Sequence, residues 1–247
     1  MKKHLSIFML MARSSFYKIL LILAAMAAVE TGLFYKTMMY AAGVSSEYMG
    51  ISCIEAVLRE SRVIWVFAVS FLLISLALCR TGCEFRSRQG YTLKRLALSE
   101  KGVFFWQTAY NTCCYIILWG VQLILALIFC RIYLSMPEAA SSSHQTVFAA
   151  FYRSSFLHNL LPLDESIVYI RNIVLAAALG FSSAVFSYKQ RRGGYGAQII
   201  ILAASSLFFF NRNMGSFDYC GLLIIISGFV IVQTVIYVLR KEDMDEA

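Results

Sequence analysis

The chain has 247 residues, of which 60% are hydrophobic and 15% charged, with two prolines and a mean hydropathy of +0.69. Soluble domains run about 45–50% apolar and about 25% charged, so this composition excludes a water-soluble globule and makes lipid the solvent for much of the surface. The net charge of +8 sits in short runs beside apolar stretches, which points to a membrane topology signal and excludes a nucleic-acid-binding face.

In chain order, the N-terminus MKKHLSIFMLMARSSF carries Leu5, Phe8, Met9, Ala12 and Phe16 on one helical stripe, with Lys3, Ser6, Arg13 and Ser14 off it. Its apolar run is too short for a signal peptide. The pattern predicts an uncleaved amphipathic helix over 1–17, lying in the membrane interface. Six apolar segments follow at residues 18–40, 63–79, 106–130, 167–186, 197–210 and 219–239. A spanning helix takes about 20 apolar residues, so the fifth segment is too short unless flanking residues join it, and it is expected to be broken or re-entrant. Asp164, just after Pro162, is the expected N-cap of the fourth span. The fold expected is an all-α membrane protein, one transmembrane domain over 1–247. It comprises a six-helix transmembrane bundle (18–240), the interfacial helix and a short tail (241–247).

Orientation follows from Lys and Arg. Lys2, Lys3, Arg13 and Lys18 precede the first span, and Arg80, Arg86, Arg88, Lys94, Arg95 and Lys101 flank the second-to-third loop. Lys189, Arg191 and Arg192 follow the fourth span, and Arg240 and Lys241 the sixth. The opposite side has Arg59, Arg62, Arg131, Arg153, Arg171 and Arg212. This fifteen-to-six bias places both termini in the cytoplasm of a multi-pass cell-membrane protein. The opposite side has one sizeable loop, from about 131 to 165. There Ser142 or Ser143 can cap a short helix whose Phe148, Phe151, Tyr152 and Phe156 rest on the outer interface, as a lid on the bundle.

The cytoplasmic loop CEFRSRQGYTLKRLALSEKG (83–102) is the most cationic stretch. Gly90 permits a turn and Thr92 can N-cap a helix whose Leu93, Leu96 and Ala97 share a face beside Lys94 and Arg95. Ser99 is a second cap signal, with Glu100 suited to a helix N-terminus. An ordinary positive-inside loop accounts for the charges. It does not account for an apolar face on a two-turn helix in water, which is unstable alone and needs a cover.

GYTLKRLALSEK, directly after the second span, resembles the coupling segment of type-2 ABC exporter permeases through Gly90, Thr92, Leu93, Leu96 and Ser99. Tyr91 is inserted between the first two of these, and the motif's usual proline is absent. The layout of the whole chain is similar to that family. The resemblance implies two permease subunits, identical or different, and a separate cytosolic ATPase gripping a coupling helix in each. The ATPase contacts it implies are Tyr91, Thr92, Leu93, Lys94, Arg95, Leu96, Ser99 and Glu100. The chain has no G-x-x-x-x-G-K-[ST] phosphate loop of its own, so hydrolysis is expected on the partner, with no cofactor, metal or catalytic residue here.

Within the spans, Ala24, Ala28 and Gly32 form a small-residue ridge expected to pack against another helix, as do Ala176, Gly180 and Ala184. Asn111, Gln122 and Gln233 read as interhelical hydrogen-bonding groups. Glu30 and Lys36 are ionisable residues in an apolar span. Lys36 is near enough to the outer surface to snorkel. Glu30 lies opposite the ridge, so it is expected to face a central cavity shared with a second subunit. Glu30, Asn111 and Gln122 are therefore the candidate transport-pathway residues. Intramembrane proteolysis needs HExxH-like ligands or two buried acids, and Glu30 is the one acid well inside a span. An ATP-independent channel or secondary transporter is the alternative reading. The seven cysteines contain no CxxC pair and histidines number three, so small apolar packing is the cysteines' expected role.

Overall fold

A computed structural model describes residues 2–43, 54–81, 99–135, 144–163, 165–192, 194, 196–210 and 217–245. Among them the regular structure is helical: α1 (Lys2–Gly43), α2 (Ile54–Glu60), α3 (Val63–Arg80), α4 (Glu100–Leu134), α5 (His144–Arg153), α6 (Ser155–Leu160), α7 (Ser166–Arg191), α8 (Gln198–Phe210) and α9 (Phe217–Asp245). Five are long and apolar enough to cross a membrane: α1 over Phe8–Tyr40, α3, α4, α7, and α9 over Cys220–Arg240. The 13 residues of α8 rise about 20 Å, short of the ~30 Å hydrocarbon layer. The short fifth segment is thus found as expected. Five spanning helices and one short apolar helix stand where six spans were expected.

The helices α1, α3, α4 and α7 alternate in direction, and the bundle packs around α4 and α7. Ser15 meets Tyr110 at 2.8 Å near one end of α1 and α4, and Phe34 stacks on Phe129 at 4.6 Å near the other, so these two run parallel. Thr81 accepts from Gln107 at 2.8 Å and Ser75 from Tyr115 at 3.0 Å, which makes α3 antiparallel to α4. Asn111 meets Ser183 and Gln107 meets Ser187, making α7 antiparallel to α4. Arg171 reaches Cys220 and Tyr188 reaches Tyr237, so α7 and α9 are parallel. Consequently Arg80, Glu100, Arg192 and Arg240 gather at one end of the bundle, called here the basic end. The short helices α2, α5 and α6 lie at the other.

Several expectations are corrected. The N-terminal segment is not a separate interfacial helix. No Gly or Pro interrupts residues 2–31, and α1 runs unbroken for 42 residues, about 63 Å. Its first turns lie along α4, with Phe8 edge-on to Trp106 (6.4 Å) and Tyr110 (5.5 Å). Met9 and Phe16, expected on the apolar stripe, are exposed, whereas Met11 and Ser15 are buried. The Ala24–Ala28–Gly32 ridge is also exposed, and a Cβ at Gly32 would meet nothing within 4 Å. The face that packs is Met11, Ile19, Met26, Glu30, Phe34 and Met38. Met and Phe on this face bury more apolar surface than alanine can, so the bulky stripe wins the packing. Lys36 is exposed on the surface of α1.

The second ridge does pack. Ala184 is fully buried, and a Cβ on Gly180 would collide with Thr112 of α4. The N-cap of α7 is Glu165, without a side-chain cap bond; Asp164 lies outside the described residues. The outer helix is split in two. Ser154 ends α5 and caps α6, its Oγ accepting from Leu157 N at 3.4 Å. Phe151 and Phe156 are buried, whereas Phe148 and Tyr152 remain exposed. The backbone at Arg62, between α2 and α3, is left-handed (φ 55°), a turn no glycine marks in the sequence.

Candidate functional site

At the basic end, the loop singled out by its charge leaves α3 at Thr81 and re-enters at Ser99. Residues 82–98 lie outside the described residues, and with them Tyr91, Thr92, Leu93, Lys94, Arg95 and Leu96. Both shoulders are described. Ser99 caps α4, its Oγ accepting from Gly102 N at 3.3 Å, as its residue type predicts. Gln107, fully buried about two turns inside α4, donates to Thr81 O at 2.8 Å and to Ser187 Oγ at 2.5 Å. The same amide therefore ties the end of α3, the start of α4 and the end of α7.

Glu100 is half-exposed and is paired within the chain. Arg192 donates to its Oε2 through Nη2 at 2.7 Å and Nε at 3.2 Å. Arg192 also lies over the Tyr188 ring (4.7 Å), and Lys189 over Tyr237 (4.6 Å). A half-exposed pair of this kind contributes little stability, about 0–1 kcal/mol. Its effect is positional: the end of α7 is held against the start of α4.

The interior candidates separate. Glu30 and Gln122 are both fully buried and come together, Gln122 Nε2 donating to Glu30 Oε2 at 2.9 Å. Glu30 pairs with no cation among the described residues, and its Oε1 has no hydrogen-bond partner there. Asn111 is eleven residues back along α4, about 16 Å, and donates to Ser183 at 2.7 Å. All three thus sit inside helix–helix contacts of this one chain. The side of α1 carrying Glu30 faces α4, not a cavity open to a second subunit. Gln233 bonds across helices too, accepting from Gln198 at 3.1 Å.

A further buried polar cluster was not anticipated. Arg171, counted from the sequence among the cations of the outer side, is 3% exposed within α7. Its Nη2 donates to Asn159 Oδ1 (3.1 Å) and Asn172 Oδ1 (2.9 Å), its Nε to Asn172 Oδ1 (3.2 Å), and its Nη1 to Cys220 Sγ (3.5 Å). Asn172 Nδ2 in turn donates to Asn159 O at 2.9 Å. One buried guanidinium thereby joins α6, α7 and α9. A signal existed: an arginine four positions into an apolar span demands partners, and Asn172 is its neighbour.

No group of three or more His, Cys, Asp or Glu suited to a metal occurs among the described residues. Cys79, Cys114, Cys130 and Cys220 are buried, and Cys113 is exposed. Comparison with protein-family models, with curated proteins and with solved structures finds no match.

Proposed function

We propose that this chain is the membrane-spanning permease subunit of an ATP-driven ABC exporter. In this reading the segment Gly90–Glu100 is its coupling handle, gripped by a separate cytosolic ATPase, and the basic end faces the cytoplasm. The transport unit is completed by a second permease subunit in the bilayer.

One observation carries the reading: both shoulders of the basic segment are fastened to the same three helices. Thr81 and α4 are joined through Gln107, which continues to Ser187 in α7, and Glu100 is joined to Arg192 beyond the end of α7. A force applied to residues 82–98 is therefore delivered to α3, α4 and α7 together rather than absorbed by one fraying helix end. That is what a handle needs, and an ordinary charged loop does not. The support rests on this base and on the apolar stripe of Leu93 and Leu96. It does not come from an interfacial N-terminal helix, since α1 is continuous.

The test is co-purification of the full chain with an ATPase subunit co-expressed from the same source. Leu96→Asp, or Lys94→Glu with Arg95→Glu, should release the ATPase while the permease still accumulates in the membrane. Retention at the unsubstituted level in both variants would overturn the handle.

A further inference from the structure

Between α3, α4, α7 and α8 lies a cavity of about 70 Å³, walled by Phe67, Phe71, Leu118, Leu175, Leu179 and Leu207. Four polar side chains also reach its wall, and each is already committed. Tyr115 donates to Ser75, and Trp119 Nε1 donates to Leu160 O at 2.9 Å. Ser206 donates to the carbonyls of Leu202 and Ala203 in its own helix. Asn172 is used at both ends, accepting from Arg171 and donating to Asn159 O.

The volume would hold water, but a water needs two to four polar partners, and here it would meet a mostly apolar lining whose few polar groups are already engaged with the protein, so it would be poorly held. An empty cavity would forfeit the dispersion contacts of its aromatic and leucine lining. The medium around the four helices supplies what fits: their outward residues include Val69, Leu72, Ile116, Ile173 and Ile200, all exposed and all apolar, so hydrocarbon is the abundant material at this depth. We propose that this cavity takes the terminal part of a hydrocarbon chain from the bilayer, as a bound guest of the bundle.

The short helix α6 is bolted to the same wall. Phe156 meets Phe67 edge-on at 5.9 Å, Leu160 O accepts from Trp119, and Asn159 O accepts from Asn172. Occupancy of the cavity therefore bears on three of the contacts that hold the outer segment down. The proposal stands whether or not an ATPase drives the chain, because it uses only the cavity and the bilayer.

The test is photolabelling of the full chain in vesicles, with adducts mapped by peptide mass spectrometry. One arm uses phosphatidylcholine carrying a diazirine at the end of one acyl chain, and the other a free fatty acid with the same chain. Adducts are expected on Leu118 and Leu175, which are 2% and 8% exposed and out of reach of bulk lipid, as well as on outward residues such as Ile117 and Ile200. The arm that labels the buried pair identifies the source of the chain. Ala176→Phe, which fills the cavity from α7, should reduce the buried adducts to background and leave the outward ones unchanged. Leu207→Trp fills it from α8 and serves if the first variant fails to accumulate. Adducts confined to outward residues in both arms, or buried adducts that survive filling, overturn the proposal.

Discussion

Gly180→Ala is the sharpest test of how the two central helices meet. A Cβ at Gly180 would overlap Thr112 Oγ1 and lie 2.9 Å from Thr112 N and 3.1 Å from its Cα. A threonine side chain can rotate away, but its backbone cannot, so α4 and α7 must separate. Overpacking of a close seam costs about 1–3 kcal/mol. The alanine returns about 1 kcal/mol of helix propensity. Separation also stretches the two hydrogen bonds on the basic-end side of the crossing, Gln107 to Ser187 and Asn111 to Ser183, each typical of membrane interiors at about 0.6 kcal/mol. The net expectation is a loss of about 1–3 kcal/mol, read as an earlier midpoint in a denaturing-detergent titration followed by circular dichroism. Gly32, Gly221 and Gly228 supply the control, since a Cβ there meets nothing within 4 Å. Alanine at these sites should be neutral or stabilising by up to about 1 kcal/mol. Thr112→Ser should not rescue Gly180→Ala, because the backbone contact remains. If Gly180→Ala matches the Gly32→Ala control, the close crossing of α4 and α7 is wrong.

Three further outcomes are expected. Glu30→Gln keeps an acceptor for Gln122 and should leave the unfolding midpoint unchanged. Glu30→Leu strands a buried amide at about 1–3 kcal/mol, a loss that Gln122→Leu should recover in the double variant. Arg171→Lys cannot fork between Asn159 and Asn172, so limited proteolysis should cut the α5–α6 region faster, and an unaltered digestion pattern would remove the arginine's role as its anchor. In a cysteine-free background, Arg153→Cys and Gly194→Cys lie at opposite ends of the bundle. An impermeant thiol reagent added to intact cells should label the first and spare the second; equal labelling of both would refute the helix directions.

The physical origin of what was legible is plain at particular residues. Apolar runs of about 20 residues announce spans without any knowledge of packing, so α3, α4, α7 and α9 and the shortness of α8 could be read directly. Gly180 could be read because only a small residue admits a close helix crossing. Which face of a helix turns inward could not. In lipid both faces of α1 are apolar, so Ala24–Ala28–Gly32 and Met26–Glu30–Phe34 compete, and hydrophobicity does not choose between them. The continuity of α1 was hidden for a related reason: Arg13, Ser14, Ser15 and Lys18 suggest a boundary by polarity, yet none of them breaks a helix. The split at Ser154 was visible in principle as a serine cap signal between two aromatic runs.

Choice among apolar faces is made by the polar residues, and α4 carries most of them. Tyr110 and Gln122 meet Ser15 and Glu30 of α1, Tyr115 and Gln107 meet Ser75 and Thr81 of α3, and Gln107 and Asn111 meet Ser187 and Ser183 of α7. Each pairing fixes both the rotation and the axial register of a neighbour, since a slip of one residue carries the group about 100° away from its partner. The pairs on α7 are readable in retrospect: Gln107 and Asn111 are spaced by four, as are Ser183 and Ser187, which is the spacing that puts two rungs on one antiparallel seam. The same fact explains why Glu30, Asn111 and Gln122 read equally well as transport ligands from sequence. A polar side chain in a span must be satisfied somewhere, and only the identity of its partner distinguishes a register pin from a ligand. Here each of the three makes one such bond within the chain, while Glu30 Oε1, Asn111 Oδ1 and Gln122 Oε1 have no hydrogen-bond partner among the described residues.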